Sequence, residues 1–206
     1  MVAAALFHKD AVPFVTLLVG VGSLLIFLLP DAAHLLVYDR ERVLAGEVWR
    51  LVSGHAVHFS WSHLGYNLAL LMTAGWWLER QGSAGYVLLV ALTALVAGLF
   101  FICLMPGMVR YGGLSGLVSA IVVYLSLHGM YYWHARPVWG VMLLLFAAKT
   151  GYEILVEESL FAAPGSAPFE VVPAVHIIGA LVAVVLFYAF RRHRLVEGRP
   201  SLQGNP

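Results

Sequence analysis

The sequence predicts an all-α polytopic membrane protein, a bundle of six transmembrane helices. Two observations carry that prediction. Of 206 residues, 61% are hydrophobic and 11% are charged, and the mean hydropathy of +0.86 is far above what a soluble domain tolerates. Apolar runs recur along the chain, each about as long as is needed to cross roughly 30 Å of hydrocarbon at about 1.5 Å per residue.

The first run lies near 12–29, just after Lys9. It superficially resembles a signal peptide, but it is as long as a spanning helix and ends at Leu29-Pro30 without a small-residue cleavage pattern, so it reads as a retained helix. A loop over 31–62 follows, too long for a simple connection. Its later part, "GEVWRLVSGHAVHFSWSHLGYN", is aromatic and carries few charges, the composition of a segment lying in the interface or packed on the bundle. Further spans are predicted near 63–79, 84–105, 115–133, 138–156 and 172–190, separated by polar breaks that include an acidic loop over 157–170. Residues 1–190 thus form one membrane domain, and the basic, then polar tail 191–206 is expected to be disordered.

With six spans both termini share a side. That side carries Lys9, Arg80, Arg136, Arg191, Arg192, Arg194 and Arg199, against Arg40, Arg42, Arg50 and Arg110 on the other. The cationic bias places both termini in the cytoplasm and the 31–62 loop outside, in what is expected to be a bacterial inner membrane with the site opening to the periplasmic side. A net charge of +1 without a basic stripe gives no indication of nucleic-acid binding. The single cysteine, Cys103, cannot form an intramolecular disulfide.

Polar groups inside a bilayer are costly, and each one in a span asks for a reason. Ser115 in "GGLSG" falls at a predicted helix start, where free N–H groups and the helix dipole favour developing negative charge. Alone, the stretch favours packing, because Gly112, Gly116 and Ala120 repeat at four-residue spacing. A nucleophile also needs a base. His128 is on the same helix, about 20 Å along the axis, and is excluded. His176 lies a few residues into the sixth span, at the depth of Ser115, and Gly179 and Ala183 on its helix permit close approach to the Gly112/Gly116 face. His63 and Asn67, spaced i, i+4, enter at the same level and can donate to one oxyanion. No acid is placed to orient His176, so a serine–histidine dyad is expected rather than a triad. The histidines His55, His58 and His63 lack the acidic or cysteine partners of a metal site, and no cofactor is called for.

Together these pieces resemble the rhomboid family of intramembrane serine proteases: "WR" at Trp49-Arg50, "HFSWSHLGYN" at His58–Asn67, "GLSG" at Gly113–Gly116 and "HIIG" at His176–Gly179, in family order over about 49–190. The resemblance implies a rhomboid-like six-helix core with Ser115 as nucleophile and His176 as general base. It implies an oxyanion hole of His63, Asn67 and the Ser115 backbone N–H. His58, Gly113 and Gly116 would support the site, and Trp49 and Arg50 would belong to a membrane-lying outer loop. Where the family often has Ala-His-x-x-Gly-x-x-x-Gly, Val175 precedes the histidine here and Ala183 stands for the last glycine, which is expected to loosen the contact between the fourth and sixth helices slightly. Against that family the chain is expected to be minimal, without a cytosolic domain or a seventh helix.

The segment from Ala147 to Ala180 is similar to the rhombosortase branch. That similarity implies substrates anchored by a C-terminal transmembrane helix, cut after a Gly-Gly-type sorting motif, with membrane lipids as the surroundings. Lys149 and Glu153, i, i+4 in the fifth span, read either as a mutually neutralising pair or as a substrate gate of that branch. The rival readings are a general rhomboid protease without Gly-Gly preference and a non-catalytic rhomboid-like binder of membrane helices, which the presence of both Ser115 and His176 disfavours. A small transporter would want an internal repeat, and none is visible. Whether water or another amine resolves an acyl-enzyme stays open.

Overall fold

The computed structural model describes residues 12–133, 136–156 and 172–196. The elements run α1 (Phe14–Leu28), α2 (Pro30–Leu36), the two-residue strand β1 (Tyr38–Asp39), α3 (Arg40–Leu44), α4 (Arg50–Ser53), a 3-10 turn (Gly54–Ala56), α5 (Trp61–Leu70), a π turn (Leu71–Gly75), α6 (Trp76–Glu79), α7 (Ser83–Leu104), β2 (Arg110–Tyr111), α8 (Ser115–Tyr132), α9 (Arg136–Val156) and α10 (Pro173–Val196). Among the described residues, α7, α8, α9 and α10 are each long and apolar enough to cross a membrane, and α1 with α2 makes a fifth span if that bent pair is counted as one. The protein is an all-α, multi-pass integral membrane protein. The predicted 63–79 span is one helical stretch from Trp61 to Glu79 interrupted by the π turn. The last helix runs on to Val196, past the expected boundary at 190. Lys9, the acidic 157–170 loop and the tail from 197 lie outside the described residues.

α8 is the central helix: 61% of its span is buried inside the protein, against 39% for α7 and for α10 and 17% for α9. It packs most extensively on α10. Gly116 and Gly179 make that contact a backbone one. A Cβ on Gly179 would collide with the Gly116 carbonyl oxygen, and one on Gly116 would meet Val175 Cγ2 at 2.6 Å. Val175, fully buried, therefore packs against Gly116 in the α8–α10 contact. Gly112 does not join this face: a Cβ there would meet Phe59 and the Val57 carbonyl at 2.9 Å. It lies before α8 begins and packs on the 31–62 loop instead.

α1 turns small and polar residues inward (Thr16, Gly20, Ser23) and leaves Leu18, Val21 and Leu25 exposed. Such a pattern suits lipid on the outside and close packing within. The free N–H groups of Val15 and Thr16 each donate to the Glu79 carboxylate at 2.8 Å. This places an anion at the helix N-terminus, where orphan donors and the dipole favour it. At the far end Pro30 starts α2 after a 115° bend.

The 31–62 loop packs on the bundle through α4 against α7. A Cβ on Gly98 of α7 would collide with the Leu51 backbone. Within the loop Arg50 is fully buried. It donates from Nε to Glu47 at 2.6 Å and from Nη1 to the carbonyls of His34 and Val37 at 2.9 and 2.8 Å. Trp49 is exposed and donates to the Leu35 carbonyl. β1 pairs antiparallel with β2, Tyr38 opposite Tyr111 and Asp39 opposite Arg110, which ties this loop to the segment leading into Ser115.

Candidate active site

Four helix ends meet on one side of the bundle: the starts of α5, α8 and α10 and the finish of α9. Ser115 opens α8, His63 sits in the first turn of α5, His176 in the first turn of α10 and Glu153 in the last turn of α9. A cavity of about 330 Å³ lies between them, and its wall includes His63, Asn67, Ser115, Lys149, Glu153 and His176. The remaining lining is largely apolar, from Leu70, Val118, Val122, Met142, Leu145 and Phe146.

The approach to Ser115 is held by the 31–62 loop. His58 donates from Nδ1 to the Ala56 carbonyl at 3.2 Å and accepts at Nε2 from the Leu114 N–H at 3.5 Å. Burial and the neighbouring His63 push its pKa down to about 3, so it serves as a neutral hydrogen-bonding group. His55, pushed down to about 4 by burial, donates to the Ala94 carbonyl. Tyr111 donates to the Gly113 carbonyl at 2.8 Å. Gly113 has φ +140, which L side chains rarely adopt, and a Cβ there would lie 2.7 Å from His63 Nε2. That glycine is what lets the His63 ring reach the turn before Ser115. The first N–H groups of α8 have no intrahelical partner and belong to the same corner. Ser119 donates back to the Ser115 carbonyl at 2.7 Å.

Asn67 Nδ2 donates to the His63 carbonyl on its own helix at 3.0 Å, so one of its two N–H groups is already used. His58, Gly113, Gly116, Trp49 and Arg50 stand behind or away from the cavity wall, in the loop and at the helix contact.

The environment of His176 departs from the sequence-based expectation. No acid was expected beside it, yet Glu153 Oε2 is 3.1 Å from His176 Nδ1. The same oxygen is 2.7 Å from Lys149 Nζ, and that amine is 3.3 Å from each ring nitrogen of His176. The i, i+4 pair on α9 is therefore not self-contained. Glu153 lies in the last turn of α9, near the level where His176 begins α10. Tyr111 and Ser119, also on the cavity wall, had no signal of their own in the sequence.

No curated protein matches the chain. The family model of the Rhomboid domain matches residues 45–193, a region that contains the cavity and every residue on its wall. The chain thus belongs to the rhomboid family, whose members are generally intramembrane serine proteases.

Proposed function

We propose that the chain is an intramembrane serine endopeptidase in which Ser115 is the nucleophile and His176 the general base. The observation that carries this reading is the convergence of Ser115, His176, His63 and Asn67 on one cavity that is otherwise lined largely by apolar side chains, apart from Lys149 and Glu153 beside His176. An apolar lining suits a membrane helix as substrate, and the polar corner suits its unwound, exposed peptide bond.

In the proposed reaction the Ser115 Oγ bonds to the scissile carbonyl carbon while its proton passes to His176 Nε2. Negative charge gathers on the carbonyl oxygen, where His63, the second N–H of Asn67 and the Ser115 backbone N–H receive it. Collapse breaks the C–N bond, His176 returns the proton to the leaving amine, and an acyl-enzyme remains. Water, or another amine, then attacks the ester. Small residues lower the cost of unwinding a substrate helix, which fits a Gly-Gly-type motif ahead of a C-terminal transmembrane anchor, as in the rhombosortase branch. The orientation proposed is both termini cytoplasmic in a bacterial inner membrane, with the cavity on the periplasmic side.

Reconstitution into liposomes with a Gly-Gly-tailed, singly anchored substrate tests this. Cleavage is expected from the wild type and from neither Ser115→Ala nor His176→Ala. An active, folded Ser115→Ala protein would overturn the reading, and cleavage only of substrates without Gly-Gly would overturn the narrower assignment.

A further inference from the structure

α9 is the least buried of α7, α8, α9 and α10 among the described residues, and Trp139, Thr150 and Glu153 are its buried residues. Burying a carboxylate in such a helix is expensive, and Glu153 is only 2% exposed. Its polar neighbours are the Lys149 amine and the His176 ring, both on the cavity wall. A pair that merely neutralised itself along α9 would have no need to reach His176 on another helix.

Resting on the serine-protease reading above, we propose that Glu153 is the positioning residue for His176, held in place by Lys149, so that the reacting group is Ser115–His176–Glu153. In the reacting state proposed, the 3.1 Å contact becomes a hydrogen bond in which Glu153 accepts the Nδ1 proton of His176. That hydrogen bond selects the tautomer whose Nε2 lone pair is free to take the Ser115 proton, and it fixes the ring plane. As His176 becomes an imidazolium, the carboxylate offsets the new charge and takes no proton itself. Lys149 keeps the buried carboxylate paired between turnovers. Its ammonium lies within reach of Nε2 in the resting state and withdraws toward Glu153 when the Ser115 hydroxyl is engaged. Among the described residues, Lys149 and Glu153 from α9, His63, Tyr66 and Asn67 from α5, Ser115 and Ser119 from α8 and Tyr111 before it are the polar groups that share the cavity with the His176 ring.

The rival role for the same two side chains is a substrate gate. A small fluorophosphonate, which phosphonylates an activated serine and needs no lateral entry, separates the two. Full-length protein in detergent is titrated with this probe, and in parallel kcat and KM are measured on the liposome substrate. If Glu153 positions the base, Glu153→Gln lowers the phosphonylation rate and kcat together, by between about 10² and 10⁴-fold, with KM unchanged, and Glu153→Asp recovers part of both. The double variant Lys149→Met with Glu153→Leu leaves no unpaired buried charge and serves as the folded control, and it is expected to be as slow as Glu153→Gln. Wild-type phosphonylation with slowed cleavage would assign the pair to a gate and overturn the proposal, as would a fully reactive double variant. Undiminished labelling of Ser115→Ala would instead overturn the serine-protease reading itself.

Discussion

Two buried charged groups lie on the same side of this protein, and they are held in opposite ways. The Arg50 guanidinium donates to two backbone carbonyls and to Glu47, a residue of its own loop. Among the described residues, the Glu153 carboxylate is paired with two side chains, an amine and an imidazole, beside a cavity. Backbone carbonyls cannot exchange protons and do not move without unfolding, so the first arrangement can only hold a shape. Side chains that titrate and rotate can change partners within a reaction. The comparison suggests that in a membrane protein the kind of partner, more than the depth of burial, separates a charge kept for folding from one kept for chemistry.

Exchanging the effects of the two regions would break that comparison. The largest expected effect is on chemistry: Ser115→Ala is expected to lower turnover by about 10⁴-fold or more while leaving the thermal unfolding midpoint in detergent unchanged. Arg50→Met should do the reverse. Removing the guanidinium strands the carbonyls of His34 and Val37, and about 3–5 kcal/mol of stability should be lost, read by unfolding in mixed micelles; any fraction that remains folded should still be phosphonylated. Gly179→Ala touches both regions, because its new methyl would strike the Gly116 carbonyl. A loss of about 1–3 kcal/mol is expected together with reduced turnover, since the same contact sets the spacing of Ser115 and His176. Gly113→Ala should cost about 1–3 kcal/mol through its positive φ and should displace His63, so kcat should fall with KM nearly constant.

The smallest effect is a pH dependence in the loop. The hydrogen bond from Arg50 holds the Glu47 carboxyl below its ordinary value of 4.5. The folded protein therefore takes up that proton less readily than the unfolded chain. The contribution is present above about pH 4.5 and disappears as pH falls through the lower folded value. Glu47→Gln should remove this slight acid sensitivity from the unfolding midpoint; an unchanged acid profile in that variant would detach Glu47 from the role assigned to it.

Much of the architecture was legible because apolar length is a strong signal in a chain that must span lipid. The starts of α8 and α10, at Ser115 and Pro173, fall within a residue of the spans read from the sequence. The polar corner was legible for a similar reason: Ser115, His176, His63 and Asn67 each lie near the start of a stretch read from the sequence as a span, and residues near such starts on one side share a depth. Three things were not legible. The Glu153–His176 contact depends on how α9 is rotated about its axis, and a helix that is apolar on nearly every side leaves that rotation unspecified. Gly112 looked like a member of the Gly116 face by spacing alone, but spacing applies only within a helix, and α8 begins after it. The π turn at Leu71–Gly75 has no marker among its residues; it arises where Gly75 gives room to the Tyr86 hydroxyl and Thr16.

That π turn makes the helical stretch from Trp61 to Glu79 sensitive to residue count. Below it, Glu79 is fastened to the start of α1; above it, His63 and Asn67 face the cavity. The wide turn accommodates about one residue more than an α-helix would. If the turn tightened to α-helical geometry with no residue removed, the upper part would rotate by about 100° relative to the fastened end. His63 and Asn67 would then point away from Ser115 although no residue of the corner had changed. The phase of this helix, and not only its chemistry, is thus written into the length of the chain between two anchors.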